Sequence, residues 1–148
     1  MRKTVSVFGA ILMVFILSVS FSHAAAPVAE QELQKVLDGW SKGYNEKNAD
    51  AIIALFDKQI LFQGGNKMVV NYDGIVPYYK GLTYDAGRYS IKVITAKPLS
   101  QNIIVGFADM TVERADGSKG VSRVSLSLRA DAENPGHWLI THWHFMRM

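Results

Sequence analysis

Cysteine is absent from all 148 residues, so no disulfide can form in any compartment, and thiolate catalysis and cysteine-ligated zinc are excluded. The fold must hold by packing alone. Charge of one sign is lacking too: 16 Lys+Arg are interspersed with 13 Asp+Glu, which leaves no basic stripe that could track a phosphate backbone. Nucleic acid is not expected as a partner. A nucleophile elbow, a phosphate-cradling glycine loop and a dinucleotide fingerprint are all missing, which removes most of the well-marked enzyme classes and gives no reason to expect a cofactor.

One long apolar run is present, and it stands at the start. Arg2 and Lys3 precede an almost wholly apolar stretch from Val5 to Val19, and Ser22-His23-Ala24 supplies small residues where a signal peptidase reads them. The run is shorter than the roughly 20 residues of a bilayer span. Residues 1–24 are therefore expected to be a signal peptide cleaved after Ala24, giving a periplasmic or secreted protein with no membrane attachment afterwards. Cleavage removes two basic side chains and no acidic one, which leaves 14 against 13 and a nearly neutral mature chain. Residues 25–148 are enough for one domain with a single core.

Within that domain, Leu33, Val36, Leu37, Trp40 and Tyr44 recur at the steps of one helical face, which predicts a helix over 28–46. Gly39 and Gly43 weaken it unless a neighbour uses the missing side chain. Asn48 is placed to cap a short helix over 49–57, with Ile52, Leu55 and Phe56 on one face. Periodicity then shifts toward two at residues 59–63, and 67–72 predicts another short strand. Asp73 is placed as the cap of a third helical piece ending at Gly81. Strands are predicted over 87–97, 101–114, 120–131 and 137–147, separated by Asp116-Gly117 and Asn134-Pro135-Gly136 among other turn signals. Helices followed by a run of strands imply an α+β fold with helices packed on one face of a bent sheet.

The chemistry-bearing residues gather on the last strands. Alternation puts Trp138, Ile140, His142, His144 and Met146 on one face and Leu139, Thr141, Trp143, Phe145 and Arg147 on the other. The histidine pair either is satisfied by backbone and hydroxyl partners in the core or lines a pocket. A zinc site is not expected, because third and fourth ligands are not on offer. Arg123 shares a face with Ser125, Ser127 and Arg129, either solvated or turned into an enclosed space to hold a carboxylate. Asp109, in step with Ile103, Val105 and Phe107, is either a base or the ion-pair partner of an arginine. Trp40 and Tyr44, four apart, form an aromatic ledge, and Tyr78 or Tyr79 could donate a phenol to a ligand.

In this arrangement the segment Trp138-Leu-Ile-Thr-His142-Trp-His144 resembles the closing strand of the calcium/calmodulin-dependent protein kinase II association domain, and the chain from about Leu33 onward resembles the SnoaL-like branch of the nuclear transport factor 2-like superfamily. The resemblance implies a cone: a curved, mainly antiparallel sheet wrapped around the N-terminal helix, with two further short helices and a cavity at the wide end. It also implies that Arg123, His142 and His144 line that cavity, and that the chain forms a homodimer. Met146 stands where such relatives commonly have a serine, Ala108 stands near an expected second arginine, and Gln63 or a neighbour occupies the strand where an isomerase base would be sought. The expectation is an exported protein binding a small polar or anionic molecule through Arg123, His142, His144, Trp40 and Tyr44. The alternatives are a proton-transfer isomerase, lyase or cyclase using Asp109, His142 or His144 with Tyr44, and an assembly module with a filled cavity.

Overall fold

The structure, a computed structural model, describes the backbone of residues 8–64, 67–69 and 71–148, and side chains in those spans from residue 26 onward except 27 and 147. The signal peptide expected over 1–24 and its cleavage site lie outside the residues whose side chains are described, and residues 1–7 lie outside the described backbone as well. In chain order the elements are α1 (Phe8–Asn45), α2 (Ala49–Ile53), β1 (Phe56–Gly64), β2 (Lys67–Val69), α3 (Tyr72–Lys80), β3 (Arg88–Ser100), β4 (Ile103–Glu113), β5 (Lys119–Ala130) and β6 (Trp138–Arg147).

The strands form one mixed sheet in the order β2-β1-β6-β5-β4-β3. All neighbours are antiparallel except β1 and β6, which run parallel and bring the start of the domain beside its end. Strand β6 is central, as its apolar character predicts. Helix α1 lies across the inner face of the sheet and buries the five residues of the expected stripe, Leu33, Val36, Leu37, Trp40 and Tyr44. Opposite them, alternate residues of the strands point inward: Ile104, Ala108 and Met110 from β4, Val124, Leu126 and Leu128 from β5. Their sequence neighbours, including Phe107, Asp109, Arg123 and Ser125, face outward.

Helix α2 is shorter than expected. Asn48 does cap it, its side chain accepting from Ala51 N at 3.0 Å, but the helix stops at Ile53 and Phe56 already opens β1. Both conformations bury Phe56, so its apolar character could not discriminate between them. Gly43 explains how α2 approaches α1, because a Cβ there would meet Ile52 Cγ1 at 2.8 Å. The cap of α3 also differs: Asn71, not Asp73, accepts from Gly74 N at 3.1 Å, and the helix begins at Tyr72. An asparagine two residues upstream offers the same cap chemistry, and extended backbone at Asn71 lets it serve.

One irregularity decides where the candidate residues go. Between β5 and β6, Ser127 pairs with His142 but Leu128 pairs with Ile140, so Thr141 is an extra, unmatched residue. Such a bulge reverses the alternation. Ile140 and Trp143 both point into the core, whereas His142 and His144 point outward, beside Ser127 and Ser125.

Candidate functional site

Among the concavities of the described residues, two lie on opposite faces of the sheet. The inner one, about 250 Å³, opens between α1, α3 and the concave face and is lined by aromatic side chains from five elements. Trp40 and Tyr44 reach it from α1, Phe62 from β1, Tyr78 from α3, Tyr89 from β3 and Trp143 from β6. Their packing is continuous. Trp40 stacks on Tyr44 and on Trp143 with ring centres 5.3 Å apart in each case, and Tyr89 meets Tyr44 edge-on at 4.5 Å. Such edge and offset contacts fix the ring planes and contribute beyond their buried area.

Polar groups in this cavity are phenols. Trp40 donates its indole N–H to the Tyr79 hydroxyl at 3.0 Å, and Tyr84 donates its hydroxyl to the Tyr79 carbonyl at 2.7 Å. Burial holds Tyr44, Tyr78, Tyr79 and Tyr89 neutral to higher pH than a free tyrosine, with the neighbouring phenols adding to the effect on Tyr44. No charged side chain lines the cavity among the described residues. Gly64 is part of the wall, since a Cβ there would strike the Phe62 ring at 2.4 Å and approach the Tyr78 hydroxyl at 3.1 Å.

Of the residues expected to share a pocket, Trp40 and Tyr44 are in the inner cavity. Arg123, His142 and His144 are not. Arg123 stands on the outer face and grips Asp109 with Nε to Oδ1 at 2.9 Å and Nη2 to Oδ2 at 3.4 Å, which answers the two open readings of Asp109 in favour of ion pairing. The register that sets Asp109 directly opposite Arg123 makes this pair. His142 lines the second concavity, an outer groove of about 530 Å³ that also contains Lys97, Val105, Phe107, Ser125 and Ser127. Burial and the nearby His144 push the His142 imidazole below its ordinary range. Although larger, this groove is floored by one sheet face and edged by surface side chains, whereas core aromatics wall the inner cavity.

Asp109, His142 and His144 thus lie on the opposite side of the sheet from Tyr44, and a base–acid pair built from them is not assembled. Several inner-cavity residues were not anticipated, among them Phe62, Tyr89, Met110 and Trp143. Parity would have assigned Tyr89 and Met110 to the inner face, but convergence of six elements on one space is not a local property. A further feature escaped the sequence: Asp57, only 2% exposed, accepts from Gln59 N at 2.8 Å and from Arg129 Nε at 3.0 Å.

No family model and no curated protein matches the sequence. Solved structures do match the fold. A nuclear transport factor 2-like protein of unknown function from Shewanella oneidensis MR-1 is 17% identical, covering 78% of this chain and 96% of its own, with a TM-score of 0.65. A protein from Xanthomonas campestris described as a candidate calcium/calmodulin dependent protein kinase II association domain is 18% identical over 79% of this chain and 86% of its own, at 0.60. One from Novosphingobium aromaticivorans described as a candidate scytalone dehydratase is 11% identical over 82% and 85%, at 0.64. With its six-stranded curved sheet wrapped on α1, this chain has the nuclear transport factor 2-like fold.

Proposed function

We propose that the protein binds a small, uncharged, ring-containing molecule in the inner aromatic cavity and does not transform it. The observation that carries this reading is the lining itself: about 250 Å³ walled by Trp40, Tyr44, Phe62, Tyr89 and Trp143, with neutral phenols as its polar groups. Flat apolar walls with a few hydroxyl donors suit a planar ligand bearing a carbonyl or hydroxyl oxygen. The anionic ligand expected from Arg123 loses its basis, because that guanidinium is on the outer face and already paired. A free carboxylate in the cavity would be desolvated without a counter-charge, which is costly.

The test is a panel of neutral aromatic ketones, phenols and matched carboxylates, read by quenching of tryptophan fluorescence and by thermal shift. Neutral members should bind and Tyr44→Phe should weaken those with an acceptor oxygen by about tenfold, the worth of one hydrogen bond of roughly 1.4 kcal/mol. Preference for the carboxylates, or no response from any neutral member, would refute it. We also propose self-association, supported by exposed Leu61, Phe107 and Val121 on the outer sheet face. Sedimentation should give twice the chain mass, and Phe107→Glu should halve it; a monomeric wild type rejects this second proposal.

A further inference from the structure

We propose that Leu82–Tyr84, in the segment joining α3 to β3, is a strap that gates the inner cavity, latched by the Tyr84 hydroxyl on the Tyr79 carbonyl. As a control on ligand entry, the strap rests on the reading of that cavity as a binding site. Leu82 lines the cavity on one side and, with Thr83 and Tyr84, lines a further concavity on the other, whose rim includes the exposed Asn48, Asp50 and Lys80. One short stretch of chain thus stands between the aromatic cavity and solvent. Through Tyr44 it packs on the inner side of the sheet, so self-association by the outer face leaves it free to move.

Few contacts hold the strap in place. Residues 83–86 make no backbone hydrogen bond among the described residues. Leu82 N donates to the Tyr79 carbonyl over a long 3.4 Å, and the same carbonyl accepts the Tyr84 hydroxyl at 2.7 Å. The Tyr84 backbone is left-handed at φ 55°, a conformation that a tyrosine keeps only where its surroundings impose it. Two anchors do so here: the hydroxyl bond, and the edge contact of the ring with Tyr44, centres 4.9 Å apart. Gly81 closes α3 at one end of the segment. At the other, Gly87 turns into β3 at φ 128°, and a Cβ there would strike the Glu113 carbonyl oxygen, so this end is pinned against β4. A segment with so few hydrogen bonds between fixed ends opens locally, well before the fold does. Swinging it outward gives up the Tyr84 latch and one ring contact, and it releases the left-handed turn.

The latch is tested first without a ligand. N-bromosuccinimide oxidises indoles that it can reach, and the buried Trp40 and Trp143 line the cavity behind the strap. Peptide mass spectrometry follows each separately. Tyr84→Phe keeps the ring against Tyr44 but removes the latch, and should speed oxidation of both by about tenfold, the factor one hydrogen bond confers on an open–closed equilibrium. Thr83→Ala should not. The wild-type rate should stay flat in low urea, because opening a strap exposes little surface. Stopped-flow quenching by acetophenone, a neutral ring ketone, supplies the second arm. Association and dissociation should both be about tenfold faster in Tyr84→Phe with Kd within about twofold of wild type, since the latch acts on the free and the loaded protein alike. Unchanged oxidation in Tyr84→Phe, equal acceleration by Thr83→Ala, or a wild-type rate that climbs with urea in step with global unfolding would overturn the gate. Acetophenone that fails to bind while Tyr84→Phe still speeds oxidation refutes the binding reading and supports the gate. The wild-type urea dependence decides the point even if the variant fails to fold.

Discussion

Replacing Arg129 by Met should destabilise the protein substantially although Arg129 is itself a surface residue. Its partner is not: the Asp57 side chain is 2% exposed and the Arg129 side chain 45%. The guanidinium crosses from β5 past β6 to β1, and Arg129→Met strips the carboxylate of every partner but the Gln59 N–H. Breaking a buried pair on one side costs about 3–5 kcal/mol, since a charge remains in low dielectric without compensation. The half-exposed guanidinium side admits water after truncation, which lowers the figure to about 2–3 kcal/mol. For a domain near this size, that corresponds to a fall in Tm of about 6–15 °C. Asp57→Asn should cost less, about 1–2 kcal/mol, because the stranded Arg129 is solvated. The double variant should recover part of the loss, as coupled sites do. Urea denaturation of the four proteins supplies the cycle. Arg129→Met within about 0.5 kcal/mol of wild type, or strict additivity in the double variant, would refute the claim that this pair is a buried tie between the two ends of the domain.

Breaking the other carboxylate–arginine pair should matter far less: Arg123 and Asp109 are 42% and 36% exposed, and Arg123→Ala should shift stability by no more than about 1 kcal/mol in the same assay. Alkaline pH should be destabilising, because Tyr44, Tyr78, Tyr79 and Tyr89 have folded-state values raised above 10.0 by burial. The unfolded chain then releases those protons first, so stability is intact below about pH 10 and falls above it; a denaturation midpoint that stays flat from about pH 9 to pH 11 counts against buried phenols. Asn71→Ala should cost about 1 kcal/mol by removing the α3 cap, whereas Asp73→Ala should not, and equal losses would restore the sequence-based assignment. Export predicts that the periplasmic or secreted form begins at Ala25 by N-terminal sequencing; an intact Met1 in that fraction would contradict cleavage.

Much of the architecture was legible because it is local. The spacing of Leu33, Val36, Leu37, Trp40 and Tyr44 identifies the buried face of α1, and the alternation in 120–131 separates Val124, Leu126 and Leu128 from Arg123, Ser125 and Ser127. Asn48 caps where its side chain predicts. The ends of α2 and α3 were less legible, since Phe56 is buried as helix or strand and Asn71 competes with Asp73 for one role.

What the sequence by itself determined is the α+β class, the faces of the regular strands, and the identity of the chemistry-bearing residues. Only the tertiary structure decided which of them share a space. One unmatched residue, Thr141, places His142 and Ile140 on opposite faces, and inter-strand register pairs Asp109 with Arg123 outside the cavity. Register depends on how two strands meet across the sheet, so no periodicity along either strand alone could have shown it.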